Sequence, residues 1–105
     1  MSFTGHEDHH VTLAEATAWT ATFRSGQSGT YTKGHFYGKD AINAILDQSG
    51  CVGIRIYYAI DAKGAKQLIL VGADANENDL YNGVLAERGV SCPPICGTGN
   101  PLNGL

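Results

Sequence analysis

The sequence predicts an α+β fold: a small antiparallel β-sheet centred on a hairpin at residues 51–73, with two N-terminal helices packed on one face. Three observations lead there. Val52, Ile54, Ile56, Tyr58 and Ile60 alternate with Gly53, Arg55, Tyr57 and Ala59, a period of two that suits a strand and would scatter around a helix. Asp61-Ala62-Lys63-Gly64 then supplies a reversal, with Asp to open a type I turn and Gly for the positive φ that follows. Upstream, apolar residues recur at helical spacing in two separate stretches.

The first ten residues, MSFTGHEDHH, read as a polar leader. His6, His9 and His10 with Glu7 and Asp8 are possible metal donors, but nothing local folds them into a closed ligand set. A solvated leader is the preferred reading. Residues 11–105 are expected to form one domain.

Thr12 to Arg24 is the first expected helix. Thr12-Leu13-Ala14-Glu15 has the form of a capping box, and Ala16, Trp19 and Phe23 make an apolar stripe. The threonines of this segment weaken its intrinsic helicity, so packing must hold it. Ser25 to Gly29 is a break with no phosphate-loop pattern. Thr30 to Tyr37 fits an edge strand or an ordered loop. Its His35, beside two tyrosines, could transfer protons but is read as a surface residue. Gly38 to Gln48 is the second helix, with Ala41, Ile42, Ile45 and Leu46 facing inward and Gly50 left-handed after it.

Lys66 to Ala73 completes the hairpin. Leu68 and Leu70 lie on one face and Ile69 and Val71 on the other, so both faces should be covered. The expected core is Trp19, Phe23, Ile42, Ile45, Leu46, Ile54, Ile56, Ile69 and Val71. Asp74 to Asp79 is similar to a calcium loop in its alternating Asp and Asn. It lacks Gly at the sixth position and Glu at the twelfth, and reads as a turn. Residues 80–88 suit a short helix or a third strand.

The Pro/Gly-rich tail, 91–105, carries Cys92-Pro93-Pro94-Ile95-Cys96 and predicts no regular element. Cys92, Cys96 and Cys51 are weak candidates for a metal or thiol-redox site, because one C-x3-C pair supplies only two ligands. A rigid strap over the hairpin, with the cysteines as small apolar anchors, is preferred.

Net charge is −3 and only 16% of residues are charged, with no basic cluster. That excludes a nucleic-acid footprint. No signal peptide is evident and no apolar run approaches the ~20 residues of a membrane span. A soluble cytoplasmic protein is expected, its cysteines thiols or ligands rather than a disulfide framework. No catalytic residue and no cofactor is expected, since no motif joins a nucleophile to a base.

The segment GKDAINAILDQSGCVGIRIYYAIDAKGAKQLILVGADANENDLYNG, together with CPPICGTGNPLN, resembles a group of small bacterial proteins of unassigned function. The resemblance spans Phe36 to Asn103 and implies a self-contained small protein, with no residue role to carry over.

The expected function is therefore a homo-oligomeric interaction module without catalysis, a dimer or a multiple of one. The alternatives are a metal or redox module on Cys92 and Cys96, or a small enzyme with a site between subunits. The face count places the contact at or near Arg55 and Tyr57, and Tyr58 is expected at the interface as well.

Overall fold

A computed structural model describes residues 2–104. The elements run α1 (Leu13–Ser25), β1 (Gly34–Phe36), α2 (Lys39–Leu46), β2 (Cys51–Ile60), β3 (Lys66–Asp74), β4 (Leu85–Ala86) and β5 (Val90–Cys92). The fold is α+β with antiparallel sheets, as the sequence predicts. The chain divides into two compact units, one of residues 2–7 and 36–89 and the other of residues 8–35 and 90–104.

The first unit is built on the expected hairpin. β2, β3 and β4 form an antiparallel sheet in that order. Asp61 shapes the β2–β3 turn: its carboxylate accepts the N–H groups of Lys63 and Ala65, each at 2.9 Å, and Gly64 takes φ +84°. The register then runs from Ile60 opposite Lys66 to Gly53 opposite Ala73, with a bulge between Cys51 and Gly53. Ile54, Ile56, Tyr58 and Ile60 thus share a face with Leu68 and Leu70, while Arg55 and Tyr57 share the other with Ile69 and Val71.

α2 covers the first of these faces. Ile45, fully buried, clusters with Leu70 and Ala86, and Tyr37, Ala41, Ile42, Cys51, Ile54 and Leu68 pack around them. The Tyr37 hydroxyl donates to the Leu68 carbonyl at 2.5 Å. Gln48, just past α2, donates to the Ile45 carbonyl and accepts the Val84 N–H, both at 2.8 Å, which ties the helix end to the chain entering β4. The third-strand alternative for 80–88 is the one found, as the short β4.

The leader is not free of the fold. Phe3 donates its N–H to the Ala75 carbonyl at 3.0 Å, and Gly5, at φ +86°, lies so close to the Val52 carbonyl that a Cβ there would stand 2.8 Å from its oxygen. Glu7 accepts the N–H groups of Thr4 and Gly5, and the Thr4 bond leads in holding its carboxyl at about 2.

In the second unit, α1 begins with the capping box: Thr12 Oγ1 accepts the Glu15 N–H and Glu15 accepts the Thr12 N–H. Thr17, Thr20 and Thr22 donate their hydroxyls to carbonyls four residues back, which accommodates them in the helix. β1 pairs with β5, so the tail does contain a strand at its start. Beyond it, Arg24 donates to the Leu102 carbonyl at 2.6 Å and Lys33 to the Asn103 carbonyl at 2.8 Å. Asn103 is buried and closes the final turn on Asn100.

Three expectations are corrected. α2 packs on the hairpin sheet, and α1 belongs to the other unit. The tail is a strap, but it is fastened to Arg24 and Lys33 in the unit of α1 rather than in that of the hairpin. Of the expected core, Trp19, Phe23, Leu46 and Ile56 are exposed: α1 buries no residue, and the α2 cluster takes in Ile54 of β2 but not Ile56.

Truncation should separate the two isoleucines. Ile45→Ala removes a fully enclosed side chain and is expected to cost about 2–5 kcal/mol. Ile56→Ala, at 52% exposure, is expected to cost below about 1.5 kcal/mol. Denaturant unfolding of both variants measures the difference, and equal losses would contradict this placement of α2.

Candidate interaction surface

Alternation along β2 puts Arg55 and Tyr57 side by side on one sheet face, and the loop after β3 returns Asp79 to them through an isolated bridge to Ala73. The Arg55 guanidinium donates to Asp79 Oδ1 at 2.5 Å and to the Glu77 carbonyl at 3.1 Å. The Tyr57 hydroxyl donates to the other carboxylate oxygen, Asp79 Oδ2. Both oxygens of Asp79 are therefore engaged. On its other side the guanidinium lies 5.4 Å from the centre of the Phe3 ring, a cation–π contact.

The electrostatics follow from these bonds. Chiefly the Tyr57 hydrogen bond, then Arg55, holds the Asp79 carboxyl below the usual carboxylate range. Asp79 in turn raises both Tyr57 and Arg55, because each is most favourable to the carboxylate while it keeps its proton. The cluster is partly solvated, so it fixes geometry more than it adds stability. Its ion pair neutralises the only charge on β2.

Of the expected interface residues, Arg55 and Tyr57 come together here, and Tyr58 points to the opposite face at 92% exposure. On the Arg55 face Val71 and Ala73 are buried within the single chain and Tyr57 is exposed; on the α2 face Ile56, Tyr58 and Ile60 are exposed. Asp79 and Phe3 were missed by sequence reasoning. Arg55 and Tyr57 two apart on one strand face were a signal that an acidic partner was needed, but 24 residues separate Arg55 from Asp79.

Below Asp79, residues Gln48, Ser49, Leu80, Tyr81, Asn82 and Gly83 line an open hollow of about 340 Å3. It gathers no titratable group besides Asp79 and Tyr81. In the second unit Trp19, Phe23, Arg24, Lys33 and Leu102 line a hollow of about 270 Å3, whose two cations already donate to tail carbonyls.

Cys92 and Cys96 form a disulfide, which corrects the expectation of thiols or ligands at these positions. Oxidised sulfurs offer no thiolate to a metal. Cys51 is a free thiol directed at the Gly53 carbonyl, 3.2 Å away, in the α2 cluster and apart from the pair. Among the described residues no group of three or more His, Cys, Asp or Glu converges on one point, and no helix is long and apolar enough to cross a membrane. Asp74 accepts the N–H groups of Asn76 and Asn78, so the calcium-like stretch is a turn, as expected.

Comparison with protein-family models, with curated proteins and with solved structures finds no match.

Because Asp79 is depressed, its contribution to stability is present above the ordinary carboxylate range and fades as pH falls through its folded value. Asp79→Asn should therefore be less stable than the parent at neutral pH, with the gap closing in acid. Denaturant midpoints of the two proteins across that range check it. In the same variant the Tyr57 hydroxyl should titrate lower than in the parent, read by NMR of the ring.

Proposed function

We propose that this protein is a small homo-oligomeric interaction module that works by contact rather than by catalysis. The observation that carries the reading is the unshielded stripe of Ile56, Tyr58 and Ile60 on a long strand. Large apolar side chains gathered on one stripe are costly to leave in water and are the usual mark of a contact surface. Tyr57, beside them on the other face, adds the amphipathic area that interfaces favour. The single ion pair of Arg55 and Asp79 leaves the strand without net charge to repel a partner. A twofold dimer, or a multiple of one, buries the stripe with the same residues from each copy.

A second reading is a thiol–disulfide function of Cys92 and Cys96, favoured over metal binding by their disulfide. It rests on a single bond, whereas the stripe involves several exposed residues.

Light scattering at micromolar concentration decides the first reading. A mass of twice 11.1 kDa or a multiple is expected, and a clean 11.1 kDa species at every concentration would overturn it.

A further inference from the structure

The hydrogen-bonding pattern of β2 shows which of its backbone groups face outward. Asp61 donates its N–H to the Ala65 carbonyl at 2.9 Å, so that pair is a hydrogen-bonded one. Alternation along an antiparallel ladder then makes Ala59–Gln67, Tyr57–Ile69 and Arg55–Val71 hydrogen-bonded pairs, and Ile60–Lys66, Tyr58–Leu68, Ile56–Leu70 and Ile54–Gly72 the intervening ones. Two contacts on the far side of β3 agree: the carbonyls of Leu68 and Gly72 point away from β2, to the Tyr37 hydroxyl and the Leu80 N–H. The N–H and C=O groups of Ile54, Ile56, Tyr58 and Ile60 therefore lie along the outer edge of the sheet. Among the described residues none of them meets a backbone partner.

Among the described residues, the stretch of this edge from Ile54 to Ile60 carries none of the usual protections. Natural edge strands are blunted by Lys, Pro, a bulge or a covering segment. The bulge of β2 lies between Cys51 and Gly53, and the close approach of Gly5 covers only the Val52 carbonyl. From Ile54 to Ile60 there is no Pro and no Lys, and the one charge, Arg55, is already paired with Asp79.

We propose that the occupant of this edge is β2 of a second copy, paired antiparallel about a twofold axis at Tyr57. The inference rests on the homo-oligomeric reading and specifies its contact. Only that register satisfies every free group: Ile54 bonds with Ile60 of the second copy and Ile56 with Tyr58, each pair repeated by symmetry. Moving the axis to Ile56 or Tyr58 leaves a terminal residue of the stretch unpaired or brings it against the part covered by Gly5. Moving it to Arg55 sets the two arginines opposite each other. With the axis at Tyr57, Arg55 faces Ala59 and no like charges meet. The exposed stripe becomes a ladder of Ile–Ile and Ile–Tyr pairs, the cross-strand combinations that favour sheets. The two three-stranded sheets join into one.

Cysteine cross-linking reads the register. Residues at Tyr57 would oppose each other in a non-hydrogen-bonded pair with Cα atoms about 4.5 Å apart, within disulfide range. Mild oxidation of the Tyr57→Cys variant should link the dimer nearly completely. The parent, which holds free Cys51, and Tyr58→Cys, whose opposite residue is Ile56, should link little. A second variant, Tyr58→Lys, alters a side chain that is 92% exposed in the single chain, so the fold should survive; circular dichroism verifies this. Its association should weaken by about tenfold or more. Cross-linking at Tyr57 together with that loss supports the pairing. A dimer that neither links at Tyr57 nor responds to Tyr58→Lys overturns the pairing while the homo-oligomer reading stands. A monomer throughout overturns both, including the case in which the edge takes a strand from another protein.

Discussion

The turn at Asp61 is the constraint on which the rest of the first unit depends. One carboxylate binds the N–H groups of Lys63 and Ala65 and accepts from the Gln67 side chain, and these bonds, led by Ala65, hold its pKa below the ordinary range. The turn sets Ile60 opposite Lys66, and every later pair of the hairpin follows. A slip of one residue would exchange the two faces of β2. Ile54 would leave the α2 cluster, Arg55 would enter it with its charge, and Asp79 would lose both partners. Register, core and the polar cluster are thus consequences of one local geometry.

That geometry was legible in the sequence because it is local. Alternation gave β2, Asp61 and Gly64 gave the turn, and Thr12 with Glu15 gave the start of α1, each within a few residues. The face of β2 that meets α2 followed from the isoleucines. What was not legible depends on contacts far apart in the chain. Asp79 reaches Arg55 across 24 residues, Arg24 reaches Leu102 across 78, and Phe3 packs under a guanidinium from a segment that looked like solvent-exposed leader. No periodicity encodes such meetings.

The misplaced core residues have a related cause. An apolar stripe at helical spacing indicates a face that prefers contact, not the partner that supplies it. Trp19 and Phe23 share that stripe on α1, yet Trp19 is 63% exposed and Phe23 meets the edge of Tyr31, ring centres 6.3 Å apart. The disulfide of Cys92 and Cys96 was hidden for a different reason: sequence spacing alone allows ligands, thiols or a bond, and only the turn between them brings the sulfurs together.

Ile56, Tyr58 and Ile60 are exposed on the face of β2 that α2 packs against. β2 has ten residues and extends about 33 Å, whereas the eight residues of α2 span about 12 Å. The α2 cluster takes in Cys51 and Ile54 of β2 and Leu68 and Leu70 of β3, the residues opposite Tyr58 and Ile56, while Ile56, Tyr58 and Ile60 themselves stay exposed. β4 is two residues long and lies across β3, on the side away from β2, so it adds nothing to the free edge. A strand with no task beyond Ile54 would be expected to shorten or turn polar there. β2 instead continues with Ile56, Tyr57, Tyr58 and Ile60, residues that favour a pleated surface in contact with another. The exposure of these side chains on a strand suited to contact is the physical basis of the proposal that this part of the sheet associates.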